Sequence, residues 1–272
     1  MKTTIHVFPF DLFGSPGARA GAELLADAVR EMLDDNRRER TPTRGRSYTK
    51  HVELIEHSFD KLADYADWRS EASETLERDN AGFRFWLAGN HLGVLPVYDW
   101  LSANADDTLI LQFDAHLDIH GTSDCTAELS HGNFLLHART PRPAVVNIGH
   151  RDLVMKPEYI AKHYADAIPA IALLSDAEKT QAALLARCEK AKRIWIDLDC
   201  DVFDVAYFPA VAQSQPFGLA TTHVLQLLDL LWSAKIIGLS ISEFDTARDV
   251  RDQSLATLAW LIEWALLRIY GG

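Results

Sequence analysis

Asp114, His116 and Asp118 alternate at the end of an apolar stretch in the middle of the chain. The stretch, residues 107–114, predicts a buried strand. Alternate side chains of an extended chain share one face, so these three groups are expected to project together from the strand's carboxyl end. Massed carboxylates repel one another and lose hydration unless a cation joins them. The spacing therefore indicates a metal site, with a solvated strand end as the alternative.

Residues of the same chemical types follow other apolar stretches of the chain. They are His91 after residues 83–88, Asp197, Asp199 and Asp201 within 193–201, Glu243 after 236–242, and His131 in a loop after the central strand. An oxygen-rich set with two imidazoles suits Mn²⁺ or a similar divalent ion better than a structural zinc. Because the set exceeds what one ion with an open position needs, two ions sharing carboxylates are the economical interpretation. Such metal pairs activate water for hydrolysis. A nearby histidine could move a proton, and Glu243 could hold a planar cation.

The elements that must position these groups alternate along the chain. Beyond an amino-terminal pair near 5–10 and 51–56, strands are predicted at 83–88, 107–114, 144–149, 168–173, 193–201 and 236–243. Helices are predicted at 22–34, 59–78, 92–104, 156–164, 176–191, 221–234 and 252–269, with a capping box of Ser175 and Glu178. This order predicts one α/β domain over 1–272, a mostly parallel sheet with helices on both faces. Open sheets of this kind place their sites at the carboxyl ends of the strands.

Composition excludes some classes of function. The net charge of −12 argues against a nucleic-acid partner, whose phosphates require a basic surface. No apolar run reaches the length of a membrane helix, and the first residues do not resemble a signal peptide. The three cysteines, Cys125, Cys188 and Cys200, match neither a disulfide framework nor a zinc finger. We therefore expect a cytoplasmic protein.

Six motifs in this order resemble the ureohydrolase superfamily, which contains arginase, agmatinase, guanidino-acid hydrolases and formimidoylglutamase. They are Gly-Asn-His at 89–91, Asp-Ala-His-Leu-Asp-Ile at 114–119, Ser-His-Gly-Asn at 130–133, Ile-Gly-His-Arg-Asp at 148–152, Asp-Cys-Asp-Val-Phe-Asp at 199–204 and Gly-Leu-Ser-Ile-Ser-Glu at 238–243. The resemblance extends from the loop at 14–19 to the last helix. It implies a three-layer α/β/α sandwich and two Mn²⁺ ions per subunit.

The resemblance also implies a role for each candidate residue. One Mn²⁺ would be held by His91, Asp114, Asp118 and Asp199, and the other by Asp114, His116, Asp199 and Asp201. Asp118 is also counted among the catalytic groups. His131 matches the proton shuttle, and Glu243 matches the residue that holds the guanidinium. The implied reaction releases urea and an amine from a small guanidino substrate, in a trimer or hexamer.

Several positions beside the motifs are expected to support the site. Asp197 stands where these relatives usually have serine, and we expect it behind the ligands rather than among them. Asn90 is expected to orient the site, Asp204 to cap a loop, and Cys200 to pack away from the ligands. We expect Arg151 and Asp152 to pair beneath the site, and His120 and His150 to line the pocket or serve the structure.

The residues expected around the tail of the substrate differ from those of arginase. Positions that bind the amino-acid head of L-arginine there correspond to His120, Ala127, Leu129 and Val154 here, and three of these are apolar. Losing those hydrogen-bond partners disfavours a zwitterionic head. An agmatinase-like or guanidino-acid-hydrolase-like enzyme is therefore favoured over a strict L-arginase. The alternatives are a formimidoylglutamase-like hydrolase on the same metals and a ureohydrolase-fold binding protein without catalysis.

Overall fold

A computed structural model describes residues 1–59, 61–121 and 128–271 of the chain. Cys125 and Ala127, which the sequence analysis singles out, lie outside these residues. The strands are Thr3–Phe8 (β1), Val52–Glu56 (β2), Phe83–Ala88 (β3), Thr108–Phe113 (β4), Ala144–His150 (β5), Asp166–Pro169 (β6), Arg193–Asp199 (β7) and Ile236–Ser242 (β8). All the pairings are parallel, in the order β2-β1-β3-β8-β7-β4-β5-β6. The predicted α/β fold with a parallel sheet is therefore confirmed.

The helices cover both faces of this sheet. They are Ala18–Arg38 (α1), Trp68–Arg78 (α2), Leu95–Leu101 (α3), Pro157–Ile160 (α4), Ala170–Ser175 (α5), Ala177–Lys190 (α6), Thr221–Leu231 (α7) and Gln253–Tyr270 (α8). None of the helices in the described part of the chain combines the length and apolar character needed to cross a bilayer.

Two hydrophobic cores follow from the period-two alternation of the strands. In β3, Phe85 and Leu87 join the core that contains residues of α1, α6, α7 and α8. Trp86, between them, joins the core on the opposite face, which contains residues of α2 and α3. Because both faces are buried, the central strands are apolar almost throughout, as parallel sheets require.

Several details of the predicted elements are wrong. The predicted helix 59–78 is α-helical only from Trp68, and the predicted helix 156–164 covers only Pro157–Ile160. The predicted strand 168–173 is strand only to Pro169, and Ala170–Ser175 forms α5. A short apolar run is ambiguous between strand and helix, and proline cannot donate to a strand ladder. The capping box of Ser175 and Glu178 is not formed: Ser175 ends α5, and Asp176 is the N-cap of α6 without a side-chain cap hydrogen bond.

Candidate metal centre

The carboxyl ends of four adjacent strands, β3, β8, β7 and β4, form the floor of the candidate site. His91 follows β3, Asp114 follows β4, and Glu243 follows β8. Asp199 is the last residue of β7, and Asp201 follows it in a short 3₁₀ turn. These side chains are far apart in sequence but lie together because parallel strands end at the same edge of the sheet.

The first group of potential ligands surrounds the Nδ1 atom of His91. This nitrogen lies 2.9 Å from Asp118 Oδ2, 3.0 Å from Asp199 Oδ2 and 3.4 Å from Asp114 Oδ2. His91, Asp114 and Asp118 are all buried and offer ligand atoms within 4.8 Å of one another.

A second group shares Asp114 with the first. His116 Nδ1 lies 2.7 Å from Asp201 Oδ2 and 3.9 Å from Asp114 Oδ1. Asp114, His116 and Asp201 also offer ligand atoms within 4.8 Å of one another. Asp199 is not part of this second group, and its Oδ1 accepts a hydrogen bond from the Asp201 N–H at 2.9 Å. The geometry thus brings the predicted ligands together around Asp114, while a bridging role for Asp199 stays a prediction.

The pKa values of the buried groups in this cluster are shifted because several carboxylates lie close together. Burial raises the pKa of the Asp114 carboxyl to about 7, and the charge of Asp118 adds to the rise. Burial, followed by the charge of Asp201, holds the pKa of Asp199 well above its usual range. Burial disfavours a charged His91, but Asp197 and Asp199 outweigh it and hold the pKa of His91 well above its usual value. The carboxylates thus compete for protons, as they would for a cation.

Two buried atoms of this cluster have no hydrogen-bond partner: His91 Nδ1 and Asp114 Oδ2. They are 3.4 Å apart and face one another. Buried polar groups are nearly always satisfied, so a facing pair of lone-pair donors requires an explanation. A divalent cation satisfies both atoms, and mixed imidazole and carboxylate ligands suit Mn²⁺. The residues present therefore fit the metal that the resemblance implies.

His131 and Glu243 form a pair beside the metal ligands. His131 Nδ1 lies 3.0 Å from Glu243 Oε1, and the same oxygen accepts the backbone N–H of His91 at 2.9 Å. Glu243 adopts a left-handed backbone with φ 62°, and so does Asp118 with φ 48°. Non-glycine residues in this region cluster at functional sites. Glu243 is thus held at the cavity wall by two donors.

A cavity of about 290 Å³ opens above these groups. Its lining consists of His91, His116, Asp118, His120, His131, Gly132, Asp199, Asp201, Gln213, Gln215 and Glu243. Of the four positions expected at the substrate's tail, His120 lines the cavity. Leu129 packs against a hydrophobic core, Val154 is 86% exposed, and Ala127 lies outside the described residues. Leu129 and Val154 therefore do not line this cavity.

Sequence analysis missed Gln213 and Gln215 as pocket residues. Gln213 Nε2 lies 3.3 Å from His131 Nε2, and Gln215 Nε2 lies 3.2 Å from His116 Nε2. Both residues lie in a loop, and a loop without periodicity does not predict where side chains point.

The supporting residues take the expected places with one exception. Asn90 donates to Leu12 O at 2.9 Å, and Asp204 accepts the N–H groups of Ala206 and Gly218, both at 3.0 Å. Cys200 is fully buried in a hydrophobic core, and His150 is buried outside the cavity lining.

The exception is the expected pair of Arg151 and Asp152. The Arg151 guanidinium donates to backbone carbonyls, including Asp201 O at 2.7 Å. Asp152 Oδ1 instead accepts the N–H groups of Val154 and Met155. Arg151 thus fixes the backbone of the ligand loop, and Asp152 caps its own turn.

Asp197 does not face the cavity. Its Oδ2 lies 3.0 Å from His91 Nε2 and accepts the Tyr98 hydroxyl at 2.7 Å, while its Oδ1 accepts the Ser240 hydroxyl at 2.6 Å. Asp197 therefore lies behind His91, on the side of the ring away from the potential ligands.

Curated proteins with related sequences include arginases and agmatinases. The mitochondrial arginase 1 of Oryza sativa subsp. indica is 26% identical over 200 residues, which cover 70% of this chain and 56% of that protein. The agmatinase of Proteus mirabilis is 21% identical over 167 residues, 61% of this chain and 53% of that protein. The chain thus spans little more than half the length of these relatives.

Solved structures share the fold across nearly the whole chain. Formimidoylglutamase from Bacillus subtilis subsp. subtilis str. 168 superposes with a TM-score of 0.78 at 18% identity, covering 99% of this chain and 88% of that chain. Arginase from Bacillus subtilis gives a TM-score of 0.75 at 20% identity, covering 98% of each chain. A family model described as the Arginase family matches residues 1–267. With its parallel sheet and the histidines and aspartates gathered at the strand ends, the chain belongs to the Arginase family.

Proposed function

We propose that this chain is a metal-dependent hydrolase that removes urea from a small guanidino compound. The observation that carries the proposal is the facing pair of unsatisfied atoms, His91 Nδ1 and Asp114 Oδ2, beneath a cavity that also contains His131 and Glu243. Clustered buried carboxylates that raise one another's pKa are typical of functional sites rather than of purely structural cores.

Two Mn²⁺ ions are the proposed cofactors. His91, Asp114, Asp118 and Asp199 would hold one ion, and Asp114, His116, Asp199 and Asp201 the other. When bound, such a pair lowers the pKa of a shared water and stabilises negative charge on the reacting centre. Burial opposes a charged His116, but Asp201 raises the pKa of His116 to about 11. His116 must therefore lose a proton before it can serve as a ligand, so metal binding should weaken as the pH falls.

His131 is placed to move a proton to the leaving amine. A proton on Nδ1 is donated to Glu243 Oε1 at 3.0 Å, which fixes the ring and leaves Nε2 toward Gln213 at 3.3 Å. An imidazole held in one tautomer with its other nitrogen toward the cavity suits general acid–base work. Glu243 supplies the negative charge that holds a planar guanidinium by charge-assisted hydrogen bonds.

The cavity wall favours a cationic substrate without an amino-acid head. Among the described residues that line it, none is Lys or Arg, so a substrate carboxylate meets no cationic partner there. His120, Gln213 and Gln215 also line the cavity. Agmatine-like amines and other guanidino compounds therefore fit better than L-arginine.

Product analysis tests this proposal. Purified, Mn²⁺-loaded protein should release urea from at least one of agmatine, guanidinobutyrate, guanidinopropionate and guanidine, at a higher kcat/KM than from L-arginine. Release of formamide or ammonia from a formimino compound, without urea from any guanidino compound, would assign the formimidoylglutamase-like reaction instead. If no hydrolysis of either class occurs although metal is bound, the chain is a binding protein.

The cellular setting belongs to the proposal as well. In the described residues, Cys188 and Cys200 are free and buried, which agrees with a reducing cytoplasm. A trimer or hexamer is expected from the family resemblance. Light scattering coupled to size-exclusion chromatography measures the oligomeric state directly.

A further inference from the structure

Asp197 is a buried carboxylate on β7 whose side chain is fully screened from solvent. It pairs in register with Gln112 of β4 and Ser240 of β8, so it lies in the middle of the sheet. Among the ion pairs of the described residues, its only cationic partner is His91. A buried charge with neither lysine nor arginine beside it costs several kcal/mol and requires a compensating function.

Three hydrogen-bond donors converge on this carboxylate. Tyr98 OH donates to Oδ2 at 2.7 Å, and Ser240 Oγ donates to Oδ1 at 2.6 Å. The Ser240 hydroxyl in turn accepts the Trp195 indole N–H at 3.0 Å, which fixes its direction. The third partner is His91 Nε2, 3.0 Å from Oδ2. An ionised carboxylate only accepts hydrogen bonds, so the proton in this contact lies on His91 Nε2.

That proton determines what the other face of the imidazole offers. With Nε2 protonated, a neutral His91 has its lone pair on Nδ1, the atom within 3.4 Å of Asp114, Asp118 and Asp199 oxygens. The ring is also held by Phe134, whose centroid lies 4.6 Å away. The contacts with Asp197 and Phe134 thus hold the ring with Nδ1 turned toward these oxygens.

We propose that Asp197 is a positioning residue that presents Nδ1 of His91 to one of the two metal ions and increases its affinity for that ion. The inference rests on the proposed function, because it assumes that a metal binds at His91. A carboxylate that accepts the Nε2 proton makes the imidazole a stronger donor to the metal. The effect should be confined to the ion at His91, since His116 contacts Asp201 and Gln215 instead.

Mn²⁺ titration of the wild type, Asp197→Asn and Tyr98→Phe is the experiment. In Asp197→Asn, the affinity for one of two Mn²⁺ ions should fall about 10–100-fold, as for other partners of metal-binding histidines, while the second is retained. Tyr98→Phe is the matched control, because it removes a donor to the same carboxylate but keeps its charge. In Tyr98→Phe, the Mn²⁺ affinity should fall less than about fivefold, which is the effect of losing one hydrogen bond.

A double variant separates action through His91 from a general disturbance of the sheet. If Asp197 acts through His91, adding Asp197→Asn to His91→Ala should not weaken Mn²⁺ binding further. Equal losses in Asp197→Asn and Tyr98→Phe, or additive losses with His91→Ala, would overturn the inference.

A measurement on the wild type covers the case in which Asp197→Asn does not fold. In the Zn²⁺-loaded protein, ¹⁵N NMR of the histidine rings should show His91 protonated on Nε2 and metal-bound through Nδ1. The opposite tautomer would contradict the inference. Fewer than two Mn²⁺ sites in the wild type would contradict the proposed metal centre itself, whereas two sites of unchanged affinity in a folded Asp197→Asn would contradict only the role of Asp197.

Discussion

Two buried clusters of histidine and aspartate lie on the same sheet, and they differ in how their charges are balanced. One is the metal centre around Asp114. The other, which we call the β1-side cluster, consists of His6, His57, Asp79 and Arg84. In it, Asp79 Oδ2 accepts the Thr4 hydroxyl at 2.5 Å and lies 3.1 Å from both His6 Nε2 and Arg84 Nε.

The β1-side cluster contains an arginine paired directly with its carboxylate, whereas the carboxylates of the metal centre pair with histidines. Arg84 balances Asp79, while the ion pairs of Asp114, Asp118, Asp199 and Asp201 in the described residues are with histidine alone. Burial opposes ionisation of Asp79, but hydrogen bonds from His6 and Thr4 hold its pKa below the usual range. The pKa of Asp114 moves in the opposite direction, to about 7. Residue types are similar in the two clusters, and the difference among the described residues is that an arginine pairs with the carboxylate of the β1-side cluster while only histidines, which a metal can also use as ligands, pair with those of the metal centre.

Asp199→Asn should have the largest effect, because it removes a carboxylate from a centre whose carboxylates pair with histidines. Metal content and hydrolysis should fall together by more than about 100-fold, beyond the loss caused by partners that only orient a ligand. Metal analysis and product release on the same sample measure this. Full metal content with normal turnover would contradict the place of Asp199 in the centre.

Asp79→Asn should affect the other cluster in a different way. It leaves Arg84 buried without its carboxylate partner, so the free energy of unfolding should decrease by about 3 kcal/mol. Chemical denaturation measures this, and Mn²⁺ stoichiometry at a permissive temperature should stay at the wild-type value. Loss of metal from folded Asp79→Asn would remove the distinction between the clusters.

Glu243→Gln tests the cavity wall while every proposed metal ligand keeps its side chain. The amide keeps the side chain's size but loses the charge that holds a cationic substrate and His131. Turnover should fall about 10–100-fold, the effect of losing charge-assisted hydrogen bonds, with both ions retained. Steady-state kinetics after metal loading measure the decrease. Unchanged turnover would show that Glu243 holds neither group.

The pH dependence of stability provides a smaller test of the β1-side cluster. Burial, and then the charge of His6, lowers the pKa of His57 to about 3. The unfolded chain therefore binds a proton at His57 below about pH 6.5 that the folded chain does not bind, and stability falls as the pH falls. From pH 7 to pH 5.5, this contribution is about 1 kcal/mol. His57→Asn should lack it, and denaturation curves of equal pH dependence for both proteins would contradict a neutral His57.

The parts of the site that the sequence predicts are those governed by strand geometry. Asp114 and Asp199 lie at the ends of β4 and β7, as the apolar strand patterns predict, and the sheet brings those ends together. The predicted extended alternation does not continue beyond the strands: Asp118 has a left-handed backbone and Asp201 lies in a 3₁₀ turn. Tyr98 could not be predicted, because its contact with Asp197 depends on the path of α3 after His91 and crosses 99 positions of sequence. Gln213 and Gln215 lie in a loop, where no periodicity constrains side-chain direction.

The errors in the predicted elements and contacts have local causes. The apolar run after Ile168 satisfies the patterns of both a strand and a helix, and Pro169 ends the strand before the pattern does. Arg151 and Asp152 are adjacent charges, yet backbone carbonyls and N–H groups satisfy each of them separately. The ion pair expected from their adjacency therefore does not form, because backbone groups of the surrounding turns already satisfy both side chains.

Mn²⁺ stoichiometry of the wild-type protein tests the central claim most directly. Protein purified without chelator, loaded with Mn²⁺ and freed of excess ion should contain two equivalents per chain by elemental analysis. Electron paramagnetic resonance should show that the two ions are coupled, because both groups share Asp114. Less than one equivalent per chain would contradict a dinuclear metal centre.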